Sequence, residues 1–187
     1  MMRLLPGSRS KKQQLDKSLH IRALGLDKED RMGQKLPDWL GKRRIINKNF
    51  EDCNEEIIRW EVMEIPCNQR IKVRFISTAS SNRQGIRIAI DAGDGELTVN
   101  GVSSKAFDLW EDNSPREFEI DCHSEEGYLS IYNIFERLSW TGKCERCSQM
   151  DYSGMILEQN NNIYRYRCND TGKDTDFKKL VFEIELL

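Results

Sequence analysis

Apolar residues recur at every second position in short runs along most of this chain. Ile58, Trp60 and Val62 alternate with Arg59 and Glu61; Ile71, Val73 and Phe75 with Lys72 and Arg74; Ile86, Ile88 and Ile90 with Arg87 and Ala89. An extended strand points successive side chains to opposite sides, so a period of two predicts strands with one apolar face. The pattern returns at Leu97 and Val99, at Phe118, Ile120 and Cys122, at Leu129 and Ile131, and over 155–158, 163–168 and 180–187. About nine short strands are therefore expected.

The breaks between the runs are made of turn-forming residues: Pro66-Cys67-Asn68, Ala92-Gly93-Asp94-Gly95, Asn100-Gly101, Asn113-Ser114-Pro115, Glu126-Gly127 and Asn160-Asn161-Asn162. Turns this short suit antiparallel neighbours. Many short strands with almost no helical period predict an all-β fold, an antiparallel β-sandwich of jelly-roll type, with a β-barrel as the alternative. No repeat at a fixed period is present, which sets solenoids and propellers aside.

Before Ile45 the pattern is different. Residues 1–44 carry 12 Lys/Arg against 5 Asp/Glu and lack sustained periodicity, so they read as a basic, largely flexible extension to a domain over 45–187. Met32 could itself open a protein, and residues 1–31 read as an upstream segment. The run Lys42-Arg43-Arg44 is too short to predict nucleic-acid binding. The remaining 143 residues hold 17 Lys/Arg against 26 Asp/Glu, a net charge of -9 within an overall -2. An acidic domain predicts no attraction to nucleic acid or to anionic membrane.

Leu4-Leu5 runs at once into Pro6-Gly7 and a polar stretch, unlike a secretory leader, and no stretch approaches membrane-spanning length. A cytoplasmic location is therefore the expectation. The six cysteines, at 53, 67, 122, 144, 147 and 168, then read as free thiols. Cys144-Glu145-Arg146-Cys147 is a single CxxC. A structural zinc there would need a second pair, for which only Cys122 and His123 stand nearby, at neither the spacing nor the residue types of a familiar zinc module. Two thiols in a polar loop is the expectation.

The candidate chemistry lies near the C-terminus. Asn169-Asp170-Thr171-Gly172-Lys173-Asp174-Thr175-Asp176-Phe177 is an oxygen-rich loop leading into the alternating strand of Leu180 to Leu187. Gly172 frees the turn, and carboxylates drawn together repel unless a cation neutralises them, so Asn169, Asp170, Asp174 and Asp176 form a candidate calcium set. A solvated turn neutralised by Lys173, Lys178 and Lys179 is the plain alternative. The loop resembles the calcium loop of bacterial calcium-dependent β-sandwich lectins and related secreted β-sandwich modules. That resemblance covers about nineteen residues, and it implies a jelly-roll-like sandwich, calcium held by Asp170, Asp174 and Asp176, and a sugar completing the coordination. It departs from the lectin pattern in its shortness, in Lys173 among the acids and in the missing Asp-Asn pair.

Trp110, Glu111 and Asp112 form a second candidate: an aromatic face to stack on a sugar and acids to accept its hydroxyls, against simple packing at the core rim; Tyr132 and Trp140 invite the same pair of readings. Asp91-Ala92-Gly93-Asp94-Gly95-Glu96 fails the EF-hand spacing and reads as a hairpin. Histidine occurs only at 20 and 123, and no nucleophile elbow, phosphate loop or HExxH is present, so catalysis has little support. Asn169-Asp170-Thr171 matches a glycosylation sequon, a common chance match. The functional expectation is a non-enzymatic ligand-recognition module, calcium-dependent and carbohydrate-binding. The alternative is a cytosolic protein-interaction factor of immunity or antagonist type, working through its acidic surface.

Overall fold

The computed structural model of the chain describes residues 38–50, 53–172 and 176–187. Among these residues there is no helix, and thirteen strands pair antiparallel in one sheet that nearly closes on itself. The all-β, antiparallel expectation holds. The nine alternating runs are all strands: β2 (Ile58–Glu64), β3 (Asn68–Thr78), β4 (Arg83–Ala89), β5 (Gly95–Val99), β8 (Glu117–Ser124), β9 (Tyr128–Leu138), β11 (Gly154–Asn160), β12 (Ile163–Asn169) and β13 (Leu180–Leu186).

Four strands were not expected: β1 (Ile45–Ile46), β6 (Val102–Ser104), β7 (Ala106–Trp110) and β10 (Cys144–Ser148). Their patterns explain why. β6 is three residues long and mostly exposed. In β7 both faces are covered, so Ala106 to Leu109 are all buried and no alternation survives. β10, read from sequence as a polar loop, is held as a strand by its hairpin pairing to β9, Cys147 opposite Phe135 and Cys144 opposite Leu138.

Across the sheet the order is β6, β5, β8, β3, β13, β12, β11, β2, β9, β4 and β7, with β1 on β2 and β10 on β9 outside that path. β5 and β7, near its two ends, lie against each other. Asn100 and Gly101, both at positive φ (49° and 79°), make the two-residue turn that joins β5 to β6. Inside, Ile71, Val73 and Phe75 of β3 pack with Ile120 of β8, Tyr166 of β12 and Phe182 of β13 in one cluster that continues through Ile86, Ile88 and Ile131. Full burial of such side chains contributes about 1.5–3 kcal/mol each.

β2 joins two groups of strands. Its first residue, Ile58, faces Met155 of β11, while Glu61 to Glu64 pair with Ile131 to Tyr128 of β9. Between them lies a bulge: Ile46 pairs with Ile58 and Ile45 with Trp60, so Arg59 is an extra residue. One extra residue reverses the alternation beyond it. Glu61 and Met63 are buried there, whereas the sequence pattern places Glu61 on the solvent side. Arg87 of β4, expected outside, is buried as well.

Of the basic extension expected over 1–44, residues 1–37 lie outside the described residues. Its remainder is fastened to the domain: Lys42 pairs with Glu126, and Arg44 with Glu61.

Candidate functional site

Asn169 closes β12 with its side chain fully buried. Its Nδ2 donates to the carbonyls of Tyr152 (2.7 Å) and Gly172 (2.8 Å), its own carbonyl accepts from Asn133 Nδ2 (2.9 Å), and its Oδ1 has no partner. A buried sequon asparagine with both amide hydrogens engaged is not open to a glycan.

Asp170 is 1% exposed, and both carboxylate oxygens are used. Oδ2 accepts from Ser80 Oγ (2.5 Å), Asn82 Nδ2 (3.0 Å) and Gln84 Nε2 (2.9 Å), and Oδ1 from the Thr171 amide (2.6 Å). The carboxylate therefore clasps the β3–β4 connection to the end of β12. Beneath it, burial pushes the Cys168 thiol far up, and the Asp170 charge adds to this. Asp174 lies outside the described residues. Asp176 is exposed and accepts from the Lys178 amide (3.2 Å). Phe177, at φ 46°, is fully buried with Phe50, Ile57 and Ile156, its ring 5.4 Å from that of Phe50. Among the described residues, no group of three or more His, Cys, Asp and Glu side chains is placed to hold a metal ion.

Trp110 ends β7 opposite Gly85, where a Cβ would stand 2.9 Å from the Trp110 ring and 2.6 Å from the Leu109 carbonyl. Only glycine leaves room for the indole in this pose. The Arg83 guanidinium lies 4.5 Å from the ring centroid, and Arg83 Nε also donates to both oxygens of Asp112 (2.9 and 3.0 Å) and its NH1 to Glu136 (3.1 Å). Arg83 thus covers the ring and binds the acid together. Glu111 is half-buried, its amide donating to the Gln84 carbonyl (3.0 Å). Tyr132 is buried against Trp60 at 5.2 Å, and burial pushes its hydroxyl up. All four are sequence candidates for ligand contact; the structure puts Trp110, Glu111 and Asp112 at the end of β7 and Tyr132 inside.

Near Tyr132 lies a buried ion cluster that the alternation concealed. Asp108 Oδ1 accepts from Arg87 NH1 (2.9 Å) and Arg146 NH2 (3.0 Å), and Oδ2 from Arg146 Nε (2.7 Å). Arg146 is the middle of the CxxC, so this stretch contributes an arginine anchor. Cys144 is exposed, Cys147 half-buried and all six cysteines are free. Cys122 sits on β8, where burial pushes its thiol up to about 12.

Two further features stand on the surface. The β9–β10 hairpin presents Trp140 at 97% exposure and Leu138 at 69%. Its tip is ordered by its own bonds: the Ser139 amide donates to the Lys143 carbonyl (2.8 Å) and the Gly142 amide to the Ser139 carbonyl (2.9 Å). Beside β3 and β8, a surface depression of about 600 Å³ is lined by Gln69, Arg70, Glu96, Thr98 and His123 among others. At its margin the exposed Cys67 has its sulfur 3.7 Å from His123 Nδ1, which also lies 2.9 Å from Asn68 Oδ1.

Compared with known proteins, the chain matches no family model and no curated protein.

Proposed function

We propose that this chain is a non-enzymatic protein-binding factor whose contact element is the tip of the β9–β10 hairpin. The observation that carries this reading is Trp140, almost wholly in water beside the exposed Leu138, on a turn held by its own hydrogen bonds. Scattered surface apolar residues need no explanation, but a tryptophan set on a hydrogen-bonded turn is of a type enriched at binding hot spots, because its large area is buried at little entropic loss. The partner is a protein with an apolar pocket. Basic character around that pocket suits the net charge of -9 over residues 45–187. The architecture behind the hairpin is read as a jelly-roll-like sandwich whose two leaves are the strand groups meeting at β2; the single core shared by both groups supports that reading.

The test compares affinity capture on the immobilised full chain with capture on Trp140→Ser and Leu138→Ser. A partner should come down with the unaltered chain, weaken as salt rises, and be missing from both variants while their melting curves are unchanged. Capture equal on all three surfaces would end the proposal.

A second reading, calcium-assisted ligand binding at the terminal loop, is favoured by the buried and unpartnered Asn169 Oδ1. Asn169 and Asp176 would serve as ligands with Asp174, while Asp170 is already saturated by protein donors. Thermal melts in chelator and in excess calcium, with magnesium as the charge control, test it: a calcium-selective rise supports the reading and superimposed curves remove it.

A further inference from the structure

We propose that Cys67 is a site of thiol–disulfide exchange with small organic disulfides, and that His123 and Asn68 position it. The three residues come from two strands and a turn. Asn68 opens β3 directly opposite His123 of β8, and the Ser124 amide donates to the Cys67 carbonyl (2.8 Å), which fixes the turn before β3 against β8.

The hydrogen-bond partners assign the imidazole. Asn68 Oδ1 can only accept, so His123 Nδ1 carries the proton and donates to it at 2.9 Å; the same N–H faces the Cys67 sulfur at 3.7 Å. Both contacts converge on one nitrogen. The arrangement is therefore not a protease-like relay, which would use the two ring nitrogens for different partners. The N–H is shared, with the amide oxygen at 2.9 Å and the sulfur at 3.7 Å, so a donor stands beside the sulfur as it attacks. Cys67 and Cys144 are both exposed, but only Cys67 has this partner. Cys122 and Cys168, buried and with thiols pushed up, take no part.

The adjoining depression of about 600 Å³ is open to solvent and sets the hydrogen-bonding side chains of Gln69, Arg70, Glu96 and Thr98 beside the apolar Leu187. A peptide-like disulfide such as oxidised glutathione fits that chemistry. In the step, Cys67 gives its proton to water and its sulfur attacks one sulfur of the disulfide. A new Cys67–S–S–R bond forms, the original S–S bond breaks, and the departing thiolate takes a proton from water. Cys67 is oxidised and the leaving half of the disulfide is reduced.

The full chain is incubated with limiting oxidised glutathione, quenched with acid at intervals, and the adducts are mapped by mass spectrometry. Cys67 should carry the first adduct, about tenfold faster than Cys144, which serves as the exposed reference within the same molecule. His123→Ala should bring the two rates together, and His123→Asn, whose amide nitrogen stands near the Nδ1 position, should recover part of the advantage. Equal rates at Cys67 and Cys144 in the unaltered protein would overturn the proposal without any variant. An advantage that survives His123→Ala would overturn the role of the histidine.

Discussion

Arg44 and Glu61 form a two-point ion pair, Nε to Oε1 at 2.8 Å and NH2 to Oε2 at 2.9 Å, in which the carboxylate is 1% exposed. The Arg59 bulge turns Glu61 inward, and Arg44, in the segment before β1, reaches in after it. Burial still outweighs the arginine and holds the Glu61 carboxyl above the usual carboxylate range.

Arg44→Ala should therefore strand a buried acid. The expected loss is about 2–3 kcal/mol by urea unfolding, below the figure for a wholly buried pair because Arg44 is partly in water. Arg44→Ala combined with Glu61→Gln should be less damaging than the sum of the two single changes, by about 1 kcal/mol. Strict additivity would mean that the pair is not coupled.

Asp91 offers a test by pH. Its carboxyl is pushed up chiefly by burial, with Arg87 and Lys105 pulling it back, and Oδ2 has no partner. The folded protein then holds a proton that the unfolded chain has already released. The stability this gives is complete below the ordinary Asp value of about 3.9 and is lost as pH rises through the raised folded value. In urea melts from acid to neutral pH, Asp91→Asn should gain on the unaltered protein as pH rises and then level off. A constant difference across the range would refute the assignment.

Asp170→Ala should cost about 3 kcal/mol, because Ser80, Asn82 and the buried Gln84 lose their acceptor together. Asp170→Asn, which keeps an acceptor, should cost less. Chelator should leave both losses unchanged, since the clasp is made of protein donors; a loss that appears only in the presence of calcium and vanishes in chelator would assign the residue to the ion instead.

How far each strand was legible in the sequence depends on how it is covered. Ile71, Val73 and Phe75 alternate against solvated Lys72 and Arg74, so β3 could be read directly, and Phe118, Ile120 and Cys122 likewise. β7 could not, because covering both faces erases the period. Glu61 was placed on the wrong side because a bulge depends on the partner strand and leaves no mark in the pattern of its own strand. The site divides in the same way. The terminal acidic loop stood out by composition, yet three of the four donors that saturate Asp170 come from 86 to 90 residues earlier. Cys67 and His123, 56 residues apart, were a turn residue and a strand residue until β3 and β8 met. Trp140 invited both packing and binding readings, and only its solvent exposure separates them.

The place of β13 in the sheet has a consequence for how the chain reaches this state. It lies between β3 and β12, joined to β3 by contacts such as Arg74 with Glu185, 111 residues apart. β3 therefore keeps an open edge of unpaired N–H and C=O groups until a distant segment arrives, and the entropy of closing so long a loop must be met before the pairing gives anything back. Folding of such non-local sheets falls in the range of milliseconds to seconds. During that interval the vacant slot beside β3 accepts any strand of matching pattern, so the β13 segment of a second copy is the natural competitor, and crowded refolding should yield exchanged dimers before it yields disordered aggregate.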